Sequence, residues 1–370
     1  MKFNDYNTVV IKLGSSLIID SEKNSLRTEW LEHFAKEVGK LRLLGLEVII
    51  VCSGAIASAA RELGKNRSEL SLSELQAYAA YGQALLISDL QKIFKANSID
   101  LAQILITNAD CQNRRRYLNM RATISKLLDM NIVPVINEND TIATDEIKFG
   151  DNDVLAARVV ALTDADLLVL LSDINGLYDS NPKDNDDAKL IRKIAKIDEK
   201  ILALASSKTN LLGTGGIKSK IRAAGIANNF GADVVLAKGE GKNSVFRLEY
   251  DKDFSFFVAK QDGLNSRKKW LSGLKNKGEV VVNKGAADII EKGGSSLLPI
   301  GVTDVRGVFS RGDMILVLRE DGARIAQGLS GVTSREARIY QGKDSKEIKL
   351  LVKKPIRLNI IHYDNMLLLK

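Results

Sequence analysis

Apolar positions along the first 240 residues fall into two alternating patterns. Short continuous runs come first: Val9-Val10-Ile11-Lys12-Leu13, Glu47 to Cys52, Leu101 to Thr107, Ile132 to Ile136, Leu167 to Leu171 and Asp233 to Ala237. Between them lie stretches with helical spacing, notably Trp30 to Leu44, Ala55 to Leu63, Leu72 to Ala96, Arg116 to Met130, Val154 to Leu162 and Lys218 to Phe230. Uninterrupted apolar strands separated by helices predict a parallel sheet covered on both faces. The pattern changes near residue 262. Residues 263–277 are polar and basic and read as a linker. Beyond them, glycines separate short alternating segments: Glu279 to Asn283, Gly307 to Phe309, Met314 to Arg319, Ile325 to Ser330 and Glu347 to Val352. These predict strands of a small β-rich domain. The expected architecture is therefore an α/β domain over 1–262, a linker over 263–277 and a β-rich domain over 278–370.

Composition narrows the function by exclusion. The chain has 370 residues, 45% apolar and 27% charged, enough for a substantial core without disulfides. No apolar run reaches the roughly 20 residues of a membrane helix, and the N-terminus turns polar within a few residues. With only two cysteines, Cys52 and Cys111, and no metal spacing around them, a cytoplasmic location is expected. The two histidines, His33 and His362, argue against a Ser-His-Asp triad or a His-rich zinc site. Net charge is +8, but the basic residues are dispersed. The clusters Arg114-Arg115-Arg116 and Arg267-Lys268-Lys269 are too short for nucleic-acid arms. Residues 278–370 carry 15 Lys and Arg against 11 Asp and Glu. That mild excess permits an anionic partner without requiring one.

Ligands of parallel α/β sheets bind beyond the carboxyl ends of the strands, so the strand exits hold the candidate chemistry. At the first, Lys12 precedes Gly14-Ser15-Ser16. A lysine beside a glycine turn can neutralise phosphate oxygens while backbone N–H groups approach them. No Walker A loop and no G-x-G-x-x-G occurs anywhere. At the second exit, Ser53-Gly54 reads as a helix cap whose N-terminus attracts anions. Asn137-Glu138-Asn139-Asp140 offers a carboxylate for an ammonium group and amides for a carboxylate. In Lys148 to Asp153 the carboxylates flank a helix start, but the pattern is not that of an EF-hand. Leu177 and Tyr178, after Ser172-Asp173, are placed to cover a purine base. Gly213 to Lys220 has the glycines, hydroxyl and lysines of a phosphate cradle at a helix start. Each cluster, taken singly, also serves as an ordinary turn or cap.

Together, in chain order, these motifs resemble the amino acid kinase family: IKLGSS (11–16), VCSGAIA (51–57), GQ (82–83), VPVINENDTIATDEIKFGDND (133–153), SDINGLY (172–178) and GTGGIKSK (213–220). The segments NSRKKW (265–270) and GSSLLPIGV (294–302) are similar to the glutamate-phosphorylating branch of that family, and the tail resembles a PUA domain. The resemblance implies the amino acid kinase fold and ATP-dependent phosphorylation of the γ-carboxylate of L-glutamate, the first step of proline synthesis. It implies catalytic roles for Lys12, Lys220 and Asp153, the carboxylate holding both lysines. It implies glutamate binding by Ser53, Asp140 and Asn152. ATP binding is implied for Lys12, Ser172, Asp173, Thr214, Gly215, Gly216, Ile217, Lys218, Ser219 and Lys220. Mg²⁺ is implied as a companion of ATP, without a dedicated set of protein ligands. L-Proline is implied as a feedback inhibitor, and a homo-oligomer as the assembly. Cys52 and Ser172 stand where threonine is familiar, and Asn175 where lysine is. Two rival readings remain at this level: a relative with another phosphate acceptor, and an RNA-binding protein working through the PUA-like tail.

Overall fold

The computed structural model describes residues 1–20, 23, 25–64, 69–142, 152–180, 182, 185, 187–206, 216–259, 271, 274–351 and 359–369. The chain divides into two compact units, Met1–Gly263 and Leu264–Lys370.

The first unit is a helix-covered sheet. Its strands are β1 (Thr8–Leu13), the short pair β2 (Ile19–Asp20) and β3 (Ser25–Leu26), β4 (Glu47–Cys52), β5 (Leu101–Ile106), β6 (Val133–Glu138), β7 (Leu167–Ser172), β8 (Lys193–Ile194), β9 (Asp233–Lys238) and β10 (Phe254–Phe257). Its helices are α1 (Ser15–Ile18), α2 (Thr28–Leu43), α3 (Ala55–Leu63), α4 (Leu72–Lys95), α5 (Asn108–Gln112), α6 (Arg114–Asp129), α7 (Asn152–Thr163), α8 (Glu199–Ser206) and α9 (Ile217–Asn229).

Among the described residues the main sheet has eight strands in the order β5-β6-β4-β1-β7-β9-β10-β8. The six from β5 to β9 pair in parallel, as the uninterrupted apolar runs predicted. β10 pairs antiparallel with β9. The helix directly after Gly14, α1, is only one turn long. The hairpin β2–β3 then intervenes before α2 begins at Thr28.

β1 and β7 are buried along their whole length, as expected for strands with helices on both faces. Alternation sends Val9, Ile11 and Leu13 into one large core cluster, with Leu31, Phe34 and Val38 of α2 and Leu86, Leu90 and Phe94 of α4. Val10 and Lys12 therefore face the other side of the sheet, where α7 lies. β1 has β4 on one side and β7 on the other. The chain runs to opposite sides from this strand, which makes its carboxyl end a topological switch point.

The second unit contains β11 (Asn276–Val282), β12 (Val302–Gly307), β13 (Met314–Arg319), β14 (Arg324–Ser330) and β15 (Ile361–Leu368). Among the described residues they form a five-stranded sheet, β12-β11-β13-β14-β15, around a core that includes Val280, Ile315, Val317 and Ile361. Two expectations here are corrected. The strand expected over 307–309 lies earlier, at Val302–Gly307. The strand expected over 347–352 is instead helical, Ser345–Leu351. Asp344 Oδ1 accepts from the Glu347 and Lys346 amides, and Glu347 Oε2 accepts from the Asp344 amide. That reciprocal cap starts a helix where short-range alternation alone suggested extension.

Candidate active site

The carboxyl edge of the parallel sheet collects side chains from four strand exits. Lys12 is the penultimate residue of β1. Asp153 and Asn152 occupy the first turn of α7, and Lys220 the first turn of α9. Lys12 Nζ lies 2.6 Å from Asp153 Oδ1, and Lys220 Nζ lies 2.9 Å from Asp153 Oδ2. The three side chains are 10%, 1% and 9% exposed, in the order Lys12, Asp153, Lys220. One buried carboxylate thus holds two ammonium groups, one on each oxygen. Burial by itself raises the Asp153 pKa. The charges of Lys12 and Lys220 and their hydrogen bonds outweigh it and hold the carboxyl below the usual aspartate range. The trio carries a net positive charge and opens at the sheet edge, where α7 and α9 also begin. Both helix N-termini add partial positive charge.

Next to this trio lies a hydroxyl-amide group. Asn152 Nδ2 is within hydrogen-bond distance of Ser53 Oγ (2.7 Å), the Cys52 carbonyl (2.9 Å) and Asn137 Oδ1 (2.9 Å). An amide nitrogen cannot accept and carries two hydrogens, so Ser53, the Cys52 carbonyl and Asn137 share them, and Ser53 keeps its own O–H for another acceptor. Asn152 Oδ1 is buried and meets no hydrogen-bond donor among the described residues. Buried acceptors are rarely left unpaired. This one is open to a donor that none of the described residues supplies. The site thus presents a free hydroxyl donor and a free amide acceptor beside a cationic pair, a suitable set for a zwitterionic carboxylic acid.

Ser53 does not cap α3 as the sequence suggested. The cap position is Gly54, at φ +111°, and no side chain caps this helix. The left-handed turn at Gly54 carries the chain into α3 and leaves Ser53 turned to Asn152. Gly54 suits that turn because it lacks a Cβ.

The remaining sequence-derived positions distribute as follows. Ser172 ends β7, beside β1, and its hydroxyl donates to Asp173 Oδ1 at 2.8 Å. Ser172 is buried and Asp173 exposed. Asp140 lies two residues beyond β6, half-buried. Gly216 is the cap residue of α9, whose first turn carries Ile217, Lys218, Ser219 and Lys220. Of these, Lys218 is exposed and Lys220 buried. Thr214 and Gly215, with the rest of 207–215, lie outside the described residues, as does Asp151. Leu177 is not placed to cover a base. It is buried, and its amide donates to Ser255 Oγ.

The motif GQ (82–83), named from the sequence without a role, belongs to one buried group. Asn137, expected to meet a ligand, is instead 2% exposed. Its Oδ1 accepts from Asn152 and from the Glu138 amide, and its Nδ2 donates to Gln83 Oε1 at 2.8 Å. Gln83 sits on the buried stripe of α4, in line with Leu75, Ala79, Leu86 and Leu90. A lone glutamine on an otherwise apolar helical stripe is the signal that could have found it. Its neighbour Gly82 explains the close approach. A Cβ there would lie 1.8 Å from the Ala55 carbonyl oxygen, so only glycine lets α4 rest on the first turn of α3.

Paired lysines at the carboxyl edge of a parallel sheet, in a chain with no Walker A motif, set this fold apart from the Walker-type kinases. The amino acid kinase family model matches residues 7–237, and a PUA domain model matches residues 278–351. The chain belongs to the amino acid kinase family. It is 42% identical over 360 residues to "Glutamate 5-kinase" of Ruegeria sp. (strain TM1040), covering 97% of this chain and 98% of that protein. It is 40% identical over 366 residues to "Glutamate 5-kinase" of Bradyrhizobium diazoefficiens, covering 99% and 98%. Among solved structures, carbamate kinase from Giardia lamblia bound to AMP-PNP superposes with a TM-score of 0.50. That match has 14% identity and covers 70% of this chain and 100% of that one, a likeness of fold.

Proposed function

We propose that this protein transfers the γ-phosphoryl group of ATP to the side-chain carboxylate of L-glutamate, forming L-glutamyl 5-phosphate, the first step of proline biosynthesis. The observation that carries the chemistry is the Lys12–Asp153–Lys220 trio, buried beside the Ser53–Asn152 hydroxyl-amide group. The full-length likeness to glutamate 5-kinases supports the acceptor.

The acceptor carboxylate is already a nucleophile. One of its oxygens bonds to the γ-phosphorus as the bond to the ADP oxygen breaks, and no proton moves. The histidine-poor site therefore lacks nothing that the reaction needs. What remains is alignment and the stabilisation of charge on the transferring group. Lys12 and Lys220 supply two positive charges, and Asp153 fixes both in place before substrates arrive. Ser53 and Asn152 bind glutamate, the hydroxyl donating to a carboxylate and the Asn152 oxygen accepting from the ammonium group. Asp140 is the second partner of that ammonium. Ser172, Asp173 and residues 214–220 form the nucleotide side.

Magnesium enters as part of the MgATP substrate. Both oxygens of Asp153 already face ammonium groups, so this carboxylate does not suit a divalent cation. L-Proline acts as the feedback inhibitor, and the protein works as a homo-oligomer. A cytoplasmic setting suits two buried cysteines that form no disulfide.

The test is ATP turnover with L-glutamate, L-aspartate, N-acetyl-L-glutamate or no acceptor, trapping acyl phosphate with hydroxylamine. Hydroxamate is expected with glutamate alone. Hydroxamate with another acceptor instead, or none from folded protein, overturns the proposal.

A further inference from the structure

The hydroxyl-amide site ends in a chain of amides that reaches helix α4, well behind the atoms that meet substrate. Its polarity is set by the backbone. The Cys52 carbonyl can only accept, so Asn152 must turn Nδ2 toward it. The Glu138 amide can only donate, so Asn137 must turn Oδ1 toward it, and the same oxygen receives Asn152. Asn137 Nδ2 is then left needing an acceptor in a place that is 2% exposed. Gln83 Oε1 is that acceptor, at 2.8 Å, from a side chain that is itself 8% exposed.

We infer that Gln83 is a positioning residue for the amino-acid substrate: by accepting from Asn137 it holds Asn137 against Asn152, and so holds Asn152 Oδ1 and the Ser53 hydroxyl in the orientation that meets glutamate. The inference rests on the reading of Ser53 and Asn152 as glutamate contacts. Without an acceptor at position 83, Asn137 carries a buried donor with no partner. It then rotates toward water or another acceptor and draws Oδ1 away from Asn152. The phosphoryl-side trio is held separately, by Asp153, and is not part of this chain of amides. Loss of Gln83 is therefore felt in glutamate binding and not in the handling of ATP.

The polarity makes the role testable with side chains of similar length. Gln83→Glu keeps an oxygen acceptor at the same reach. Gln83→Met keeps the volume and loses the acceptor. With each variant confirmed folded by thermal melting, hydroxamate formation is measured against glutamate at saturating MgATP, and against MgATP at saturating glutamate. Gln83→Met is expected to raise the KM for glutamate about tenfold, the worth of one hydrogen bond to a substrate-binding group, with the KM for ATP unmoved. Gln83→Glu is expected to stay within about threefold of wild type on both. Should the Met protein not fold, Gln83→Asn, whose amide is one methylene short of Asn137, takes its place with the same expectation. An unchanged KM for glutamate in the acceptor-less variant overturns the inference. So does an equal change in both KM values and kcat, which marks a merely structural residue. Failure of the wild-type protein to form glutamate hydroxamate overturns the substrate assignment first, and this inference with it.

Discussion

Lys12 Nζ and Asp153 Oδ1 lie 2.6 Å apart although 141 positions separate them in the chain, and the carboxylate is 1% exposed. A carboxylate so deeply buried is tolerable because a second lysine, Lys220, engages its other oxygen. Asp153→Asn removes the charge that fixes both lysines while keeping the shape. It is expected to lower kcat by more than about tenfold, at least 1.4 kcal/mol of transition-state stabilisation. The KM for ATP should change far less. Turnover within tenfold of wild type would remove Asp153 from this role.

The same carboxylate predicts a pH effect on stability. Its folded pKa lies below the ordinary 3.8, because the two lysines outweigh the cost of burial. The folded protein therefore binds this proton less readily than the unfolded chain. The stabilising contribution is complete above pH 3.8 and is lost as pH falls through the lower folded value. In urea titrations the gap between wild type and Asp153→Asn should be constant near neutrality. It should narrow only below that point. A gap that widens on acidification contradicts the sign.

Ser53 and Asn152 act on the acceptor side. Ser53→Ala removes the free hydroxyl donor, and Asn152→Ala removes the buried acceptor with it. Each is expected to raise the KM for glutamate by about ten- to a hundredfold, the range for hydrogen bonds to charged groups. Steady-state kinetics that instead show only the KM for ATP moving would place these residues on the nucleotide.

Gly82→Ala tests the contact between α4 and α3. Alanine improves helix propensity by about 0.8–1.0 kcal/mol. The new Cβ, however, would meet the Ala55 carbonyl oxygen at 1.8 Å, and that atom belongs to backbone. Overpacking of this kind costs about 1–3 kcal/mol or more, so the clash wins. A lower melting temperature is expected, with a raised KM for glutamate because Gln83 moves with the helix. A melting temperature equal to or above that of wild type rules out the close approach.

Both cysteines should resist modification in the native protein. Burial pushes the Cys52 thiol up to about 12 and the Cys111 thiol up to about 11. The reactive thiolate is scarce at neutral pH, and reagent access is poor. Mass spectrometry after iodoacetamide should find no label on folded protein and two after unfolding. Rapid labelling of Cys52 without unfolding is incompatible with its place in β4.

Much of the layout was legible in local pattern. Buried strands announce themselves as apolar runs, and every run named in the first 240 residues became a strand. Strand exits drew attention because backbone groups at a parallel sheet's carboxyl edge turn toward a common crevice, and the structure gathers Lys12, Asp153 and Lys220 there. Lys12 stood out as the one charged residue within an apolar strand. Where local pattern failed, a contact distant in sequence had won. Ser53 looked like a cap because serine usually is one before a helix. Its hydroxyl oxygen instead accepts from Asn152, 99 residues away, and caps nothing. The segment 345–351 alternates like a strand, yet a reciprocal cap at Asp344 and Glu347 turns it into a helix.

The sequence by itself determined the alternation of strands and helices, the change of character near residue 262, and which residue types stand at each strand exit. These follow from covalent order and from periodicities of two and 3.6 residues, which act over short stretches. Only the tertiary structure decided that one buried carboxylate serves two lysines, that Ser53 is free to donate, and that Gln83 supports Asn137 from a neighbouring helix. Each of these depends on bringing together groups from separate elements out of water. There every buried donor needs an acceptor and every charge a partner, and that requirement is met by the assembled fold and not by any single segment.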